Sequence, residues 1–161
     1  MPAFSNSRRV HHSAAEMFDL VADIEAYPDF VPLCKNLRIR RRSEDAEGRV
    51  ILVADMEAGY KAIHEKFTSK VTCDRAKLTI LAEYIDGPFK SLENHWTFSD
   101  DIGGKPMADA VSGPICRVDF AIAYEFKSRM LAALVGGMFD TAFRKFASAF
   151  EQRADTVYRR G

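Results

Sequence analysis

The side chains with the greatest chemical reach in this chain are scattered, not clustered. Its histidines are His11, His12, His64 and His95. His11 and His12 are adjacent, so on an extended backbone their rings face opposite ways. His64 and His95 fall on the outward phase of their strands. No H-x-x-x-H or H-E-x-x-H spacing occurs, which argues against a helical metal site. Cys34, Cys73 and Cys116 are far apart, odd in number and without a C-x-x-C pair. That usage fits buried thiols in a reducing compartment better than a disulfide framework or a zinc site. Neither a G-x-S-x-G nucleophile elbow nor a phosphate-cradling glycine loop is present.

Two polar residues, Glu65 and Asn94, share a strand phase with apolar neighbours. They could orient a ligand carbonyl by hydrogen bonding. The simpler reading is a local twist or bulge that turns them to solvent. A buried, unpaired carboxylate would cost on the order of several kcal/mol or take up a proton. With Tyr124 they are the inward candidates for acid, base or polar chemistry. The run Arg38-Ile39-Arg40-Arg41-Arg42 is the dense basic cluster, and Arg159-Arg160 adds a small basic tail. It could meet RNA, a ribosome or an anionic lipid, or it could shield a solvated edge strand. Glu44, Asp45 and Glu47 follow at once and weaken the local field, which favours the edge strand.

The elements that must position these residues follow from length and patterning. The 161 residues suit a single domain, 1–161, with one sizeable core. Lys+Arg and Asp+Glu are both 23, so the formal net charge is zero and no global electrostatic case for DNA binding exists. Met1–Ser5 lacks a basic then apolar leader, and no apolar run approaches the roughly 20 residues of a membrane span. The chain therefore reads as cytoplasmic, with room for a peripheral position at the inner membrane.

Phe4–Val10 reads as a short extended stretch. Ser13-Ala14-Ala15-Glu16 fits a capping box. Met17, Phe18, Val21 and Ile24 follow at helical spacing, giving an expected helix from Ala14 to Ala26 before Pro28 and Pro32 break it. The middle of the chain alternates with period two. Ile63, Glu65, Phe67, Ser69, Val71 and Cys73 share one face, as do Leu92, Asn94, Trp96 and Phe98, and Val118, Phe120, Ile122, Tyr124 and Phe126. Less regular strands are expected over Leu37–Arg42, Arg49–Ala58 and Leu78–Ile85. Turn signals stand at Glu47-Gly48, Gly59, Asp86-Gly87-Pro88, Gly103-Gly104 and Gly113-Pro114. Short connections between consecutive strands imply an antiparallel sheet.

The last expected element is a helix over Ser128–Arg153. Phe139, Phe143, Phe146 and Phe150 stack along one line, and Leu131, Val135, Met138 and Ala142 form an adjoining one. The combined apolar face is wider than one flat sheet would cover. Gly136-Gly137 costs about 1 kcal/mol per Gly relative to Ala, which suggests a bend, a close approach, or space. Packing is expected to give way to a cavity along the Leu131–Ala142 line. The predicted class is α+β: a curved antiparallel sheet of about six to seven strands around a long C-terminal helix.

These residues also resemble a known family. Tyr27-Pro28-Asp29-Phe30-Val31-Pro32-Leu33-Cys34 is similar to the Y-P-x-F-x-P-x-C signature of the coenzyme Q-binding START-domain proteins, within the polyketide-cyclase-like superfamily. Gly87-Pro88-Phe89 through Trp96-Thr97-Phe98 resembles that family's G-P-F-x-x-L-x-x-x-W-x-F segment. Val118–Ser128 resembles its last strand and helix start, and Ala142-Phe143 with Ala149–Ala154 its terminal helix. The resemblance implies a helix-grip (START-like) fold. It implies non-catalytic binding of ubiquinone or a related isoprenoid lipid in support of respiratory electron transport, with no cofactor required. A sister branch is described as a toxin that blocks ribosomal subunit association, and cyclase or aromatase enzymes share the superfamily.

On this reading Phe30, Val31 and Pro32 form a cavity wall or entrance. Phe67, Trp96, Phe98, Phe120, Tyr124, Leu131, Val135, Met138, Phe139 and Ala142 are the remaining candidate ligand contacts. For any one aromatic among them core packing is the favoured reading, while several of the set should line the cavity. The expected partner is a hydrophobic small molecule, with a transient membrane-surface contact in addition and a ribosome contact as the alternative.

Overall fold

The computed structural model describes residues 3–60, 63–100 and 114–158. The Gly103-Gly104 turn, most of the turn-rich Ser99–Ile115 stretch and the Arg159-Arg160 tail lie outside them. Seven strands and two α-helices follow in the order β1 (Ala3–Val10), α1 (Ala14–Ala22), a 3₁₀ segment (Ile24–Asp29), β2 (Cys34–Glu44), β3 (Val50–Tyr60), β4 (Ile63–Asp74), β5 (Thr79–Asp86), β6 (Phe89–Asp100), β7 (Cys116–Phe126) and α2 (Arg129–Val157). The strands form one curved antiparallel sheet in the order β1-β7-β6-β5-β4-β3-β2. This is the α+β architecture expected from the patterning, and the helix-grip fold that the resemblance implies.

Alternation explains the best-formed strands. On β7, Cys116, Val118, Phe120, Ile122, Tyr124 and Phe126 are all buried, while the residues between them are not. On β6, Leu92, Trp96 and Phe98 are buried, and a register shift between Phe89 and Ser91 lets Phe89 enter the core as well. β3 runs on through Gly59, which pairs with His64, so that glycine lies within a strand and is not a turn.

The capping box forms as read. Ser13 Oγ accepts from Glu16 N at 3.0 Å, and Glu16 Oε1 accepts from Ser13 N at 3.0 Å. The helix behind it is shorter than expected and ends at Ala22. Tyr27 precedes Pro28, which disfavours the α conformation there, and the chain tightens into the 3₁₀ segment. The Tyr27 hydroxyl donates back to the carbonyl of Val21, holding that segment against α1. The last helix extends beyond Arg153 to Val157.

The C-terminal half of α2 is fastened to the rest of the fold. Arg8 meets Glu151 at 3.1 Å, and His12 Nε2 meets Asp155 Oδ1 at 2.7 Å. Tyr158 donates to the Glu16 carbonyl at 3.1 Å. Phe150 packs on Phe30 and Trp96, each with ring centroids 5.0 Å away. Gly136 and Gly137 sit in the other half, inside unbroken helix, and an added Cβ on either would meet nothing within 4 Å. Space, and not a close approach, accounts for them.

Glycine-to-alanine substitutions should therefore have opposite signs at two positions. Gly137→Ala should raise stability by about 1 kcal/mol, roughly 2–4 °C in Tm. Gly87→Ala should lower Tm, because φ is +141° there and the new Cβ would lie 2.6 Å from the Phe67 Cβ. Thermal unfolding of both variants checks this.

Candidate functional site

The sheet is unevenly filled. On β6 and β7 the concave face carries Trp96, Phe98, Phe120, Tyr124 and Phe126, all buried. On β3, β4 and β5 the same face intersperses the small Ala54, Ala58, Ser69 and Ala82 with Met56, Phe67, Val71 and Ile80. One straight helix cannot fill both halves. The backbone of α2 approaches β7, α1 and β1, which leaves a gap toward β3–β5. That gap is a cavity of about 90 Å³.

Its walls come from three sources. Ile24, Tyr27, Pro32, Leu33 and Cys34 supply one end, between α1 and β2. Phe139, Ala142, Phe143 and Phe146 supply the helix side. The sheet side adds Leu37, Met56, Phe67, Val71, Ile80, Leu92, Asn94, Trp96 and Ile122 to the small residues above. Leu33 adopts φ +67°, the left-handed region, and its carbonyl accepts from Gly59 N at 2.9 Å. A leucine there is disfavoured by about 1–2 kcal/mol, and the hydrogen bond to β3 holds it at the cavity wall.

Among the described residues the lining contains no Asp, Glu, His, Lys or Arg. Its few polar groups are mostly committed. Asn94 Nδ2 donates to the Ala121 carbonyl at 2.9 Å, and Asn94 Oδ1 accepts from Trp96 Nε1 at 2.9 Å. Asn94 therefore stays on the concave face and does not turn to solvent, because its amide ties β6 to β7 and fixes the indole. The Tyr27 hydroxyl is spent on Val21, and burial pushes it well above the ordinary tyrosine range. Burial likewise raises the Cys34 thiol to about 11. The Ser69 hydroxyl makes no side-chain hydrogen bond among the described residues.

The expected contact residues divide by position. Pro32, Phe67, Trp96, Phe139 and Ala142 line the cavity. Val135 and Met138 line a small adjoining pocket with Leu33, Ala58, Gly59, Glu65 and Phe139. Glu65 is half-buried there, on the inward phase. Phe30 lies outside, under the Arg153 guanidinium at 5.1 Å. Val31 is buried without reaching the cavity. Phe98 meets Phe18 of α1 at 6.1 Å, Phe120 lies against Trp96 at 4.7 Å, and Tyr124 packs on Phe143 at 5.0 Å. These three fill the crowded half of the sheet. Leu131 is half-buried at the start of α2 and packs against the core. The main cavity thus lies under the Phe139–Phe146 line, and the Leu131–Ala142 line borders chiefly the smaller pocket.

Leu33 and the small residues of β3 and β5 line the cavity without being among the expected contact residues. The period-two run Ala54, Met56, Ala58 was a usable signal, but alanines read as weak strand formers and not as room.

Comparison with known proteins gives a consistent setting. The family model for polyketide cyclase/dehydrase and lipid transport matches residues 10–151. The ribosome association toxin RatA of Vibrio cholerae is 30% identical over 158 residues, covering 98% of this chain and 99% of that protein. The mitochondrial coenzyme Q-binding protein COQ10 homolog B of Xenopus laevis is 28% identical over 158 residues. That match covers 98% of this chain but spans 59% of the Xenopus protein's length. The Zhui aromatase/cyclase of Streptomyces superposes with a TM-score of 0.73 at 14% identity, covering 98% of this chain and 96% of that one, a likeness of fold.

The buried thiols set an alkaline limit. Burial raises Cys34 and Cys73 from 9.0 to about 11 and Cys116 to about 12. The fold holds these protons more tightly than the unfolded chain does. Their contribution is complete below pH 9 and is lost as pH climbs from 9 through about 11. Urea midpoints should be level from neutrality to about pH 8.5 and fall above pH 9, less steeply in a Cys34→Ala/Cys73→Ala variant.

Proposed function

The chain belongs to the polyketide cyclase/dehydrase and lipid transport family, and from that premise we propose that it is a non-catalytic carrier for ubiquinone or a related isoprenoid lipid. The observation that carries this reading is the lining: largely apolar and aromatic, with no acidic or basic side chain among the described residues. An apolar tail gains about 0.8 kcal/mol per buried CH₂. Leu33, Met56, Phe67 and Phe143 offer such surface, and Met56 adapts to irregular shapes. Ser69 and the second amide proton of Asn94 are available to a ring carbonyl. The coenzyme Q-binding name of the Xenopus relative points to the same class of ligand.

Size sharpens the proposal. Pockets for drug-sized ligands measure roughly 300–1,000 Å³, well above the space here. An occupant must part α2 from β3–β5, or hold its tail partly outside. Catalysis has weaker support. Of the three candidates for acid, base or polar work, Asn94 lines the cavity, Glu65 the adjoining pocket, and Tyr124 the packed core. They do not converge on one reacting position.

A second reading rests on the near full-length match to RatA. The basic cluster lies on β2, an edge strand, with Arg38, Arg41 and Arg42 exposed. Arg40 is engaged by Asp55 at 2.7 Å, and Asp55 also accepts from Thr68 at 2.6 Å. Altered subunit profiles on sucrose gradients would favour a ribosome-directed role; unchanged profiles without co-sedimentation would remove it.

Trp96 is the chain's one tryptophan and lines the cavity, so it reports occupancy directly. Titration with a short-chain ubiquinone should quench its fluorescence saturably. Ala54→Leu, which fills the cavity from β3, should weaken that binding at least about tenfold. Absence of saturable quenching, or equal binding by the variant, would overturn the carrier reading.

A further inference from the structure

The two halves of α2 differ in a way that packing does not explain. From Met130 to Phe139 the sequence carries no charged side chain, whereas Asp140, Arg144, Lys145 and Glu151 follow. A helix apolar on all sides belongs inside a protein or against another apolar phase. This one is at the surface. Met130 is 74% exposed and Leu134 65%, the largest exposures among the large apolar residues described. Standing four residues apart, they form one stripe, with Ala133 and Gly137 exposed beside it. Across the same helix Val135 is fully buried, and Met138 and Phe139 line the pocket beside the cavity. The exposed stripe is therefore one helix diameter from the cavity wall. The fastenings of the C-terminal half have no counterpart here among the described residues.

Charge narrows the identity of the missing partner. The strand registers bring the starts of β2, β4 and β6 to the same end as the start of α2. Exposed Lys35, Lys66, Lys90, Lys127 and Arg129 stand at that end. Of the acids there, Glu125 faces Lys90 at 3.4 Å and Glu57 faces His64 at 3.5 Å. Glu65 is half-buried and Asp86 is exposed. An apolar stripe preceded by Lys127 and Arg129, at the end of the fold that carries these lysines, suits an anionic lipid surface, and a second copy would bring like charges together. Ten helical residues rise about 15 Å, half of a bilayer's hydrocarbon core, so the segment would lie in the interface and not cross it.

We infer that the first half of α2, flanked by Lys127 and Arg129, docks on an anionic phospholipid membrane, with Met130 and Leu134 entering the acyl boundary beside the cavity. The inference rests on the carrier reading for its purpose, since an isoprenoid lipid must be collected from and returned to a bilayer. The surface itself is a separate physical claim.

The test is co-sedimentation of the full chain with vesicles of phosphatidylcholine alone and of phosphatidylcholine with phosphatidylglycerol. Binding should favour the anionic vesicles and weaken with salt. Met130→Asp/Leu134→Asp should reduce the partition coefficient about tenfold or more. Lys127→Glu/Arg129→Glu should reduce it several-fold on anionic vesicles only. Met130→Gln/Leu134→Gln provides a second pair should the aspartates disturb the helix. Each variant is checked by circular dichroism and by ubiquinone quenching of Trp96 in solution, which should be retained. No vesicle binding by the parent protein, or equal binding by both apolar pairs, overturns the inference while leaving the carrier reading intact. A dimer dispersed by the same apolar substitutions, without vesicle binding, assigns the stripe to a second copy. Vesicle binding without quenching would retain the docking surface and reject the carrier.

Discussion

Trp96, Phe120, Tyr124 and Phe126 crowd one half of the concave sheet, while in the other the small Ala54, Ala58, Ser69 and Ala82 stand between Met56, Phe67, Val71 and Ile80. A single helix must serve both. It meets the aromatic half closely, with Phe143 against Tyr124 at 5.0 Å and Phe139 against Phe126 at 5.5 Å. Protein interiors tolerate few voids, so space left opposite the small residues needs support from rigid surroundings. Asn94 provides part of it by joining β6 to β7 and holding the Trp96 indole. Leu33, held by its bond to Gly59, provides another part at the end of the cavity. The cavity is thus a consequence of uneven side-chain volume on one sheet, and the properties of the site follow from it.

The same helix divides into an anchored half and an exposed half. The Arg8–Glu151 and His12–Asp155 pairs and the Tyr158–Glu16 hydrogen bond fasten its end to β1 and α1. Stability there comes from contacts between residues remote in sequence. The first half, with Gly136-Gly137 facing open space and Met130 and Leu134 exposed, gives up such contacts. Segments that admit ligands are drawn from the less stable parts of a fold. An enlarging cavity would therefore be accommodated at the start of α2 more readily than at its end.

Much of the fold was legible because β4, β6 and β7 alternate cleanly and Ser13–Glu16 marks a helix start without ambiguity. The phenylalanine line from Phe139 to Phe150 located α2. The cavity was less legible. Which aromatics pack and which line space depends on what stands opposite, and that is a matter of register between strands. Phe98 and Trp96 share a phase on β6, yet Phe98 meets Phe18 of α1 and Trp96 reaches the cavity. The His12–Asp155 contact joins residues 143 apart in sequence, and no local pattern announces it. Leu33's left-handed backbone is similarly invisible in a residue type that rarely adopts it. The alanines and Ser69, whose small size creates the room, carry no chemical signature of their own.

The role proposed for this room is to hold an apolar molecule. Organic-solvent extraction of freshly purified protein, followed by mass spectrometry of the extract, tests it most directly. The expected result is an isoprenoid quinone or closely related lipid in near-stoichiometric amount, and uptake of added ubiquinone by protein that has been stripped. An extract free of such lipid, together with no uptake of added ubiquinone, would contradict it.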